Sequence, residues 1–145
     1  MKRAPLRTSR GIAQLCARVA WEKKADDILV LRLEVLENAP ADYFVLATCE
    51  TEPHIQAVAM AIEEATHTRG IPKPRREGWE ALQWVLLDYG SVVVHLFRPQ
   101  TRAYYRLERL WGDVPQLRFS EQSRRLYTVS VPTVESSQDA AGELR

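Results

Sequence analysis

The feature that most constrains this chain is a pair of apolar, β-branched and aromatic runs, Leu82–Leu87 and Val92–Phe97, flanking Asp88-Tyr-Gly-Ser91. Asp and Gly are turn formers, so the two runs predict a hairpin of buried strands. Strands without polar alternation must be covered on both faces, which requires packed layers rather than an isolated sheet. The residues upstream supply such layers. Ile12, Leu15, Cys16 and Val19 recur at helical spacing, with Trp21 projecting off that stripe toward another element or a partner. Ile28–Leu36 starts as a continuous apolar run and then alternates, which predicts one strand, broken by Asn38-Ala-Pro40. Tyr43–Thr48 predicts a second strand. Ile55, Val58, Ala59, Ile62 and Ala65 predict a helix over Pro53–Arg69, with Pro53 in its first turn and Gly70 just past its end.

Gly70–Gly78 is a proline-bearing basic loop with room for a short edge strand. A final helix is expected over Pro99–Trp111. On a wheel, Ala103, Leu107, Leu110 and Trp111 fall on one side, and Arg98, Arg102, Arg106 and Arg109 form a ridge on the other. The order α-β-β-α-β-β-α is that of an α/β fold, a mixed sheet flanked by helices. Beyond Gly112 the chain turns polar; Leu126–Val131 is a candidate edge strand, and Ser136–Arg145 has the composition of a disordered tail. With 145 residues, this is one domain's worth of chain. The divisions expected are a basic lead over 1–11, a folded domain over 12–115 and a polar extension over 116–145.

Lys and Arg number 20 against 19 Asp and Glu, a net charge of +1 that argues against coating nucleic acid by bulk charge. The balance hides an asymmetry, because Glu22–Glu64 holds ten acids and three bases. Such a dipolar chain can offer an acidic surface to a basic partner. The glycines never form a GxG, so a phosphate-cradling loop is not encoded, and His54, His67 and His95 show no metal-binding spacing. Neither a metal nor a cofactor is expected. Cys16 and Cys49 form no CxxC, no apolar run approaches a membrane span, and Met1–Arg10 lacks the apolar region of a signal peptide. A cytoplasmic protein without membrane contact is expected.

Two chemical constellations stand out. Cys49 closes the second strand and His54 opens the next helix, where a helix dipole favours a thiolate; a nucleophile with a nearby base is one reading, and a small buried Cys beside a backbone-bonded His is the other. The arginine ridge with Tyr105 beside it reads either as a phosphate-gripping RNA surface or as an ordinary solvated helix face. His95, inside an apolar strand, reads more simply as a satisfied core histidine than as a general base.

The block Trp84-Val-Leu-Leu-Asp-Tyr-Gly-Ser-Val-Val-Val-His-Leu-Phe97, followed by Thr101-Arg-Ala-Tyr-Tyr-Arg-Leu-Glu-Arg-Leu-Trp-Gly-Asp113, closely resembles the ribosomal silencing factor (Iojap-like) family. Glu22–Ile28, Asp42-Tyr-Phe44 and His54 resemble its first half, so that the resemblance covers about Ile12 to Pro115. It implies a nucleotidyltransferase-like fold without catalytic carboxylates, and a translation repressor rather than an enzyme. The implied partner is the large ribosomal subunit, chiefly large-subunit ribosomal protein fourteen, with small-subunit joining blocked sterically when nutrients are scarce. A minor ribosomal RNA contact and a homodimer are further expectations, since some members self-associate. The partner-binding residues it implies are Trp84, Leu86, Asp88, Tyr89, Tyr105 and Asp42. Trp84 reads alternatively as core packing and Asp88 as a turn former. Ser91 departs from the family's usual acid after the turn glycine, and Cys49–Pro53 from its small, Ser/Thr-rich stretch.

Overall fold

A computed structural model describes residues 8–130. Helix α1 (Ser9–Glu22) starts where the Thr8 hydroxyl accepts from the Gly11 amide at 3.0 Å, and it buries Leu15, Cys16 and Val19 together with Ala13, Ala17 and Ala20. The small alanines bring it close to the sheet. Strand β1 (Asp26–Arg32) follows, then a 3₁₀ turn over Leu33–Val35, strand β2 (Tyr43–Thr48) and helix α2 (Glu52–Thr68), which Thr51 caps by accepting from the His54 amide. The expected strand over Ile28–Leu36 is thus cut at Arg32. The reason is local: the Leu33 and Glu34 amides both donate to the Asp42 carbonyl, at 2.8 and 3.0 Å, which coils the backbone while Leu33 enters the core.

Strand β3 (Arg75–Glu77) is the edge strand allowed by the basic loop. Strands β4 (Trp84–Asp88) and β5 (Val92–Phe97) form the expected hairpin, paired Trp84 to Phe97 and Leu86 to His95. Where one helix was expected there are two, α3 (Pro99–Tyr105) and α4 (Leu107–Leu110), separated by Arg106 in the left-handed conformation at φ 48°. Strands β6 (Gln116–Phe119) and β7 (Leu126–Ser130) return as a second hairpin beside β1. The sheet therefore has seven strands in the order β3-β4-β5-β2-β1-β6-β7, and only β2 and β5 run parallel.

Both faces of the sheet are covered. Val30, Val45, Val85, Leu87, Val94 and Leu96 point to α1 and α2. Leu29, Leu31, Phe44, Leu46, Val93 and Phe97 point the other way, toward Leu33, Leu107, Trp111 and Val114. Period-two alternation divides the central strands between two cores, which is why they carry almost no polar residues. Trp21 finds its second element here: it lies 5.7 Å from the Phe119 ring and tethers the β6–β7 hairpin to α1. The residues of the expected tail, 136–145, lie outside the described residues, as does most of the basic lead.

A candidate docking face around Trp84

Alternation along β4 turns Val85 and Leu87 into the α1/α2 core and leaves Trp84, Leu86 and Asp88 half-exposed on the opposite face. Trp84 is the centre of that face. Its indole packs against Phe97 and Tyr105, both with ring centroids at 4.9 Å, and its Nε1 donates to Nδ1 of His95 at 3.1 Å. Because Nδ1 accepts, the neutral imidazole carries its proton on Nε2, a buried donor with no hydrogen-bond partner among the described residues. Burial lowers the His95 pKa to about 4, so the ring stays uncharged at neutral pH. His95 is thus a core histidine, but not the fully satisfied one expected: Nδ1 seats the tryptophan and Nε2 is left unpartnered among the described residues. Phe44, 4.5 Å from the imidazole, and Trp111, edge-on to Phe44, close the cluster from behind.

Tyr105 is 55% exposed and meets Tyr104, itself 79% exposed, edge to face. With Trp84 they form an aromatic step that rises out of the core into solvent. Leu86 packs into the same cluster as Trp84. Asp88 acts as the turn former: Oδ1 accepts from the Gly90 amide at 2.8 Å, while Oδ2 pairs with Arg75 at 3.4 Å. Asp42 lies at the same end of the sheet, where its amide donates to the Ser91 carbonyl. Tyr89 is not brought to this face. It packs on the α1/α2 core, with its hydroxyl 2.8 Å from Thr66 Oγ1, and burial pushes its pKa well up.

Sequence reasoning passes over Tyr104, and over His95 as the seat of Trp84. The second had a signal: once Trp84 is registered opposite Phe97, His95 is its diagonal cross-strand neighbour on the same face.

The arginine ridge dissolves in three dimensions. Arg102 is buried and donates to the Asp27 carbonyl at 2.7 Å, Thr48 Oγ1 at 2.9 Å and Glu108 Oε2 at 3.1 Å. The helix breaks at Arg106, after which Glu108 reaches back to Arg102 and Leu107 and Trp111 pack on the sheet. Ala103 and Leu110, expected to face inward, are exposed instead, and Arg98 is half-buried. Cys49 is fully buried, and desolvation with the nearby Asp26 carboxylate pushes its thiol up to about 12. His54 spends both ring nitrogens on backbone, Nδ1 accepting from the Glu50 amide and Nε2 donating to the Lys23 carbonyl. A protonated thiol beside a committed imidazole is not a nucleophile with its base. Among the described residues, no group of three or more His, Cys, Asp or Glu side chains could hold a metal ion, and no helix is long and apolar enough to cross a membrane.

A mixed sheet covered on both faces, with an aromatic step on one of them, defines an α/β domain that presents an exposed aromatic face. Comparison with known proteins makes this particular: residues 6–143 match the family model described as "Ribosomal silencing factor during starvation". The match runs past Pro115, where the resemblance carried by the motifs stops. The chain is 39% identical to the ribosomal silencing factor RsfS of Bacillus subtilis over 106 residues, 73% of this chain and 89% of the relative. It is 33% identical over 93 residues to a Mus musculus protein named "Mitochondrial assembly of ribosomal large subunit protein 1", covering 62% of this chain and 40% of that one. A crystal structure of a protein from Chromobacterium violaceum superposes with a TM-score of 0.69 at 30% identity, covering 73% of this chain and 88% of that one. The chain belongs to the ribosomal silencing factor family, whose members are ribosome-associated regulators of translation.

Proposed function

We propose that this protein is a cytoplasmic translation repressor that binds the large ribosomal subunit through large-subunit ribosomal protein fourteen and sterically excludes the small subunit. The observation that carries the reading is the seating of Trp84. An anchor contributes most to binding when it is large, centrally placed and already held in its bound rotamer. What supports this reading for Trp84 is that the hydrogen bond to His95 and the ring contacts to Phe97 and Tyr105 hold its indole in one orientation. Leu86 and Tyr105 supply water-excluding surface around it, while Asp42 and Asp88 lie at the end of the sheet where a basic partner would find them. The acidic excess of Glu22–Glu64 speeds encounter with such a partner. Bulk rather than chemistry is the mechanism: a domain seated on the joining surface of one subunit occupies volume that the other needs.

Sedimentation of the purified protein with isolated large subunits, isolated small subunits and joined ribosomes tests this directly. Co-migration with free large subunits alone, with fewer joined particles, is the expected outcome. Failure to migrate with any particle at micromolar protein would overturn the reading.

A further inference from the structure

A second site lies at the end of the sheet where β2 and β5 terminate. These are the parallel neighbours, and the chain leaves them in opposite directions: β2 leads to α2 over one core, and β5 leads through α3 to Leu107 and Trp111 over the other. In open α/β sheets, ligands occupy the crevice at such a switch point, outside the carboxyl ends of the strands. A cavity of about 460 Å³ is found there, within the size range of small-molecule sites.

The backbone around the cavity is irregular on both sides. Asp27 adopts φ 47° within a break in the β1–β2 register between Asp26 and Leu29, and Arg106 adopts φ 48° at the helix break; both residues line the cavity. Non-glycine residues held in this region are strained, and register breaks re-aim side chains, features that gather at binding sites. Between the two lies Arg102, 6% exposed, whose Nη2 makes no hydrogen bond and has Asp27 Oδ2 as an ion-pair neighbour at 3.4 Å.

The charges sort by origin. Arg102 and Arg118 pair with Asp27 and Glu108. What remains is Asp26 and Glu50 from the strand ends, and Arg106 and Arg109 from the helical side. Within the described residues, Asp26, Glu50 and Arg109 have no side-chain hydrogen bond or ion pair, and Arg106 donates only to the Ala103 carbonyl. A simple anion entering here meets two free carboxylates, and a simple cation meets two free guanidiniums, so each is repelled by half of the site. A ligand bearing both charges is attracted by all of it. We propose that this cavity binds a small zwitterion with a carboxylate and an ammonium group, of the size of a free amino acid or a dipeptide. Arg106 and Arg109 take the carboxylate and Asp26 and Glu50 the ammonium, with Pro99 and Ala103 as an apolar wall.

The test is titration of the full chain, followed through its backbone amide NMR signals, with L-alanine and with L-alanyl-L-alanine as probes. N-acetyl-L-alanine, lacking the ammonium, and L-alanine amide, lacking the carboxylate, serve as controls. Saturable shifts at Asp26, Asp27, Glu50, Arg106 and Arg109, weakened about tenfold or more in both controls and in Glu50→Gln and Arg109→Gln, are expected. The stronger of the two probes identifies the source as a free amino acid or a peptide. Both variants alter exposed side chains, so folding is preserved. Absence of saturable shifts with either probe at tens of millimolar, equal binding of the blocked controls, or unchanged binding by the variants would overturn the proposal.

Discussion

The indole Nε1 of Trp84 donates to Nδ1 of His95 at 3.1 Å, so the central aromatic of the proposed docking face is held by a buried neutral histidine. Two substitutions at Trp84 separate its contributions. Trp84→Ala is expected to weaken large-subunit binding by about 2 kcal/mol or more if Trp84 is the anchor. Trp84→Phe retains much of the ring contact but orphans Nδ1, and is expected to fall between the wild type and alanine. Co-sedimentation with large subunits, with circular dichroism as the folding control, measures both; undiminished binding by folded Trp84→Ala would remove Trp84 from the site.

The same pair makes stability pH-dependent. Burial holds the folded His95 pKa at about 4, below the ordinary 6.5. As pH falls from about 6.5 to about 4, the unfolded chain takes up a proton that the native ring does not, so stability declines across this window. The stability present above it and lost below it is of the order of 3 kcal/mol, from the size of the depression. Urea midpoints measured across the window should fall with pH, and His95→Leu should flatten that part of the dependence. A variant that kept the full slope would locate the titration elsewhere.

Gly78 adopts φ +81°, and a Cβ added there would overlap the Trp84 carbonyl oxygen. Gly78→Ala must therefore displace the backbone that carries Trp84, in addition to bearing the left-handed strain. A loss of about 2 kcal/mol or more in stability is expected, together with weaker large-subunit binding. Gly90, also at positive φ, has nothing within 4 Å of an added Cβ, so Gly90→Ala should carry the conformational cost alone. Equal thermal shifts in the two variants would contradict the close approach.

Arg102 and Arg109 come from the same sequence pattern but should behave oppositely. Arg102→Ala leaves the half-buried Glu108 and the buried Thr48 without their partner and should cost about 3 kcal/mol of stability. Arg109→Ala, at an exposed position, should stay within about 0.5 kcal/mol of the wild type. Chemical denaturation of the two variants decides. Similar small losses in both would restore the solvated arginine ridge.

Much of this molecule is readable from one dimension. The hairpin of β4 and β5, the strand β2 and the helices α1 and α2 follow from apolar spacing and turn residues, because those patterns record which face of each element is buried. Trp84, Leu86 and Tyr105 are singled out by residue type and by the resemblance of their block to the family, and β4 alternation puts the first two on one face. Asp42 and Asp88 are placed by the residues that begin and end the strands. What spacing cannot carry is the partner across space. A helical wheel assumes that a helix continues, and Pro99–Trp111 satisfies it perfectly, yet Arg102 finds Asp27 and Thr48 in other elements and Glu108 beyond a break at Arg106. Tyr89 adjoins Asp88 in sequence, but the turn sends it to Thr66 on the opposite core. The sequence by itself thus determined the central elements α1, β2, α2, β4 and β5, the two-faced sheet and the family, because local burial period and local turn chemistry are written residue by residue, whereas the end of β1, the break between α3 and α4 and the strand β6 were not legible in it. Tertiary structure alone decided which arginine is buried, which histidine seats the tryptophan and where the free charges converge on a cavity, because those outcomes depend on desolvation and pairing between residues far apart in the chain.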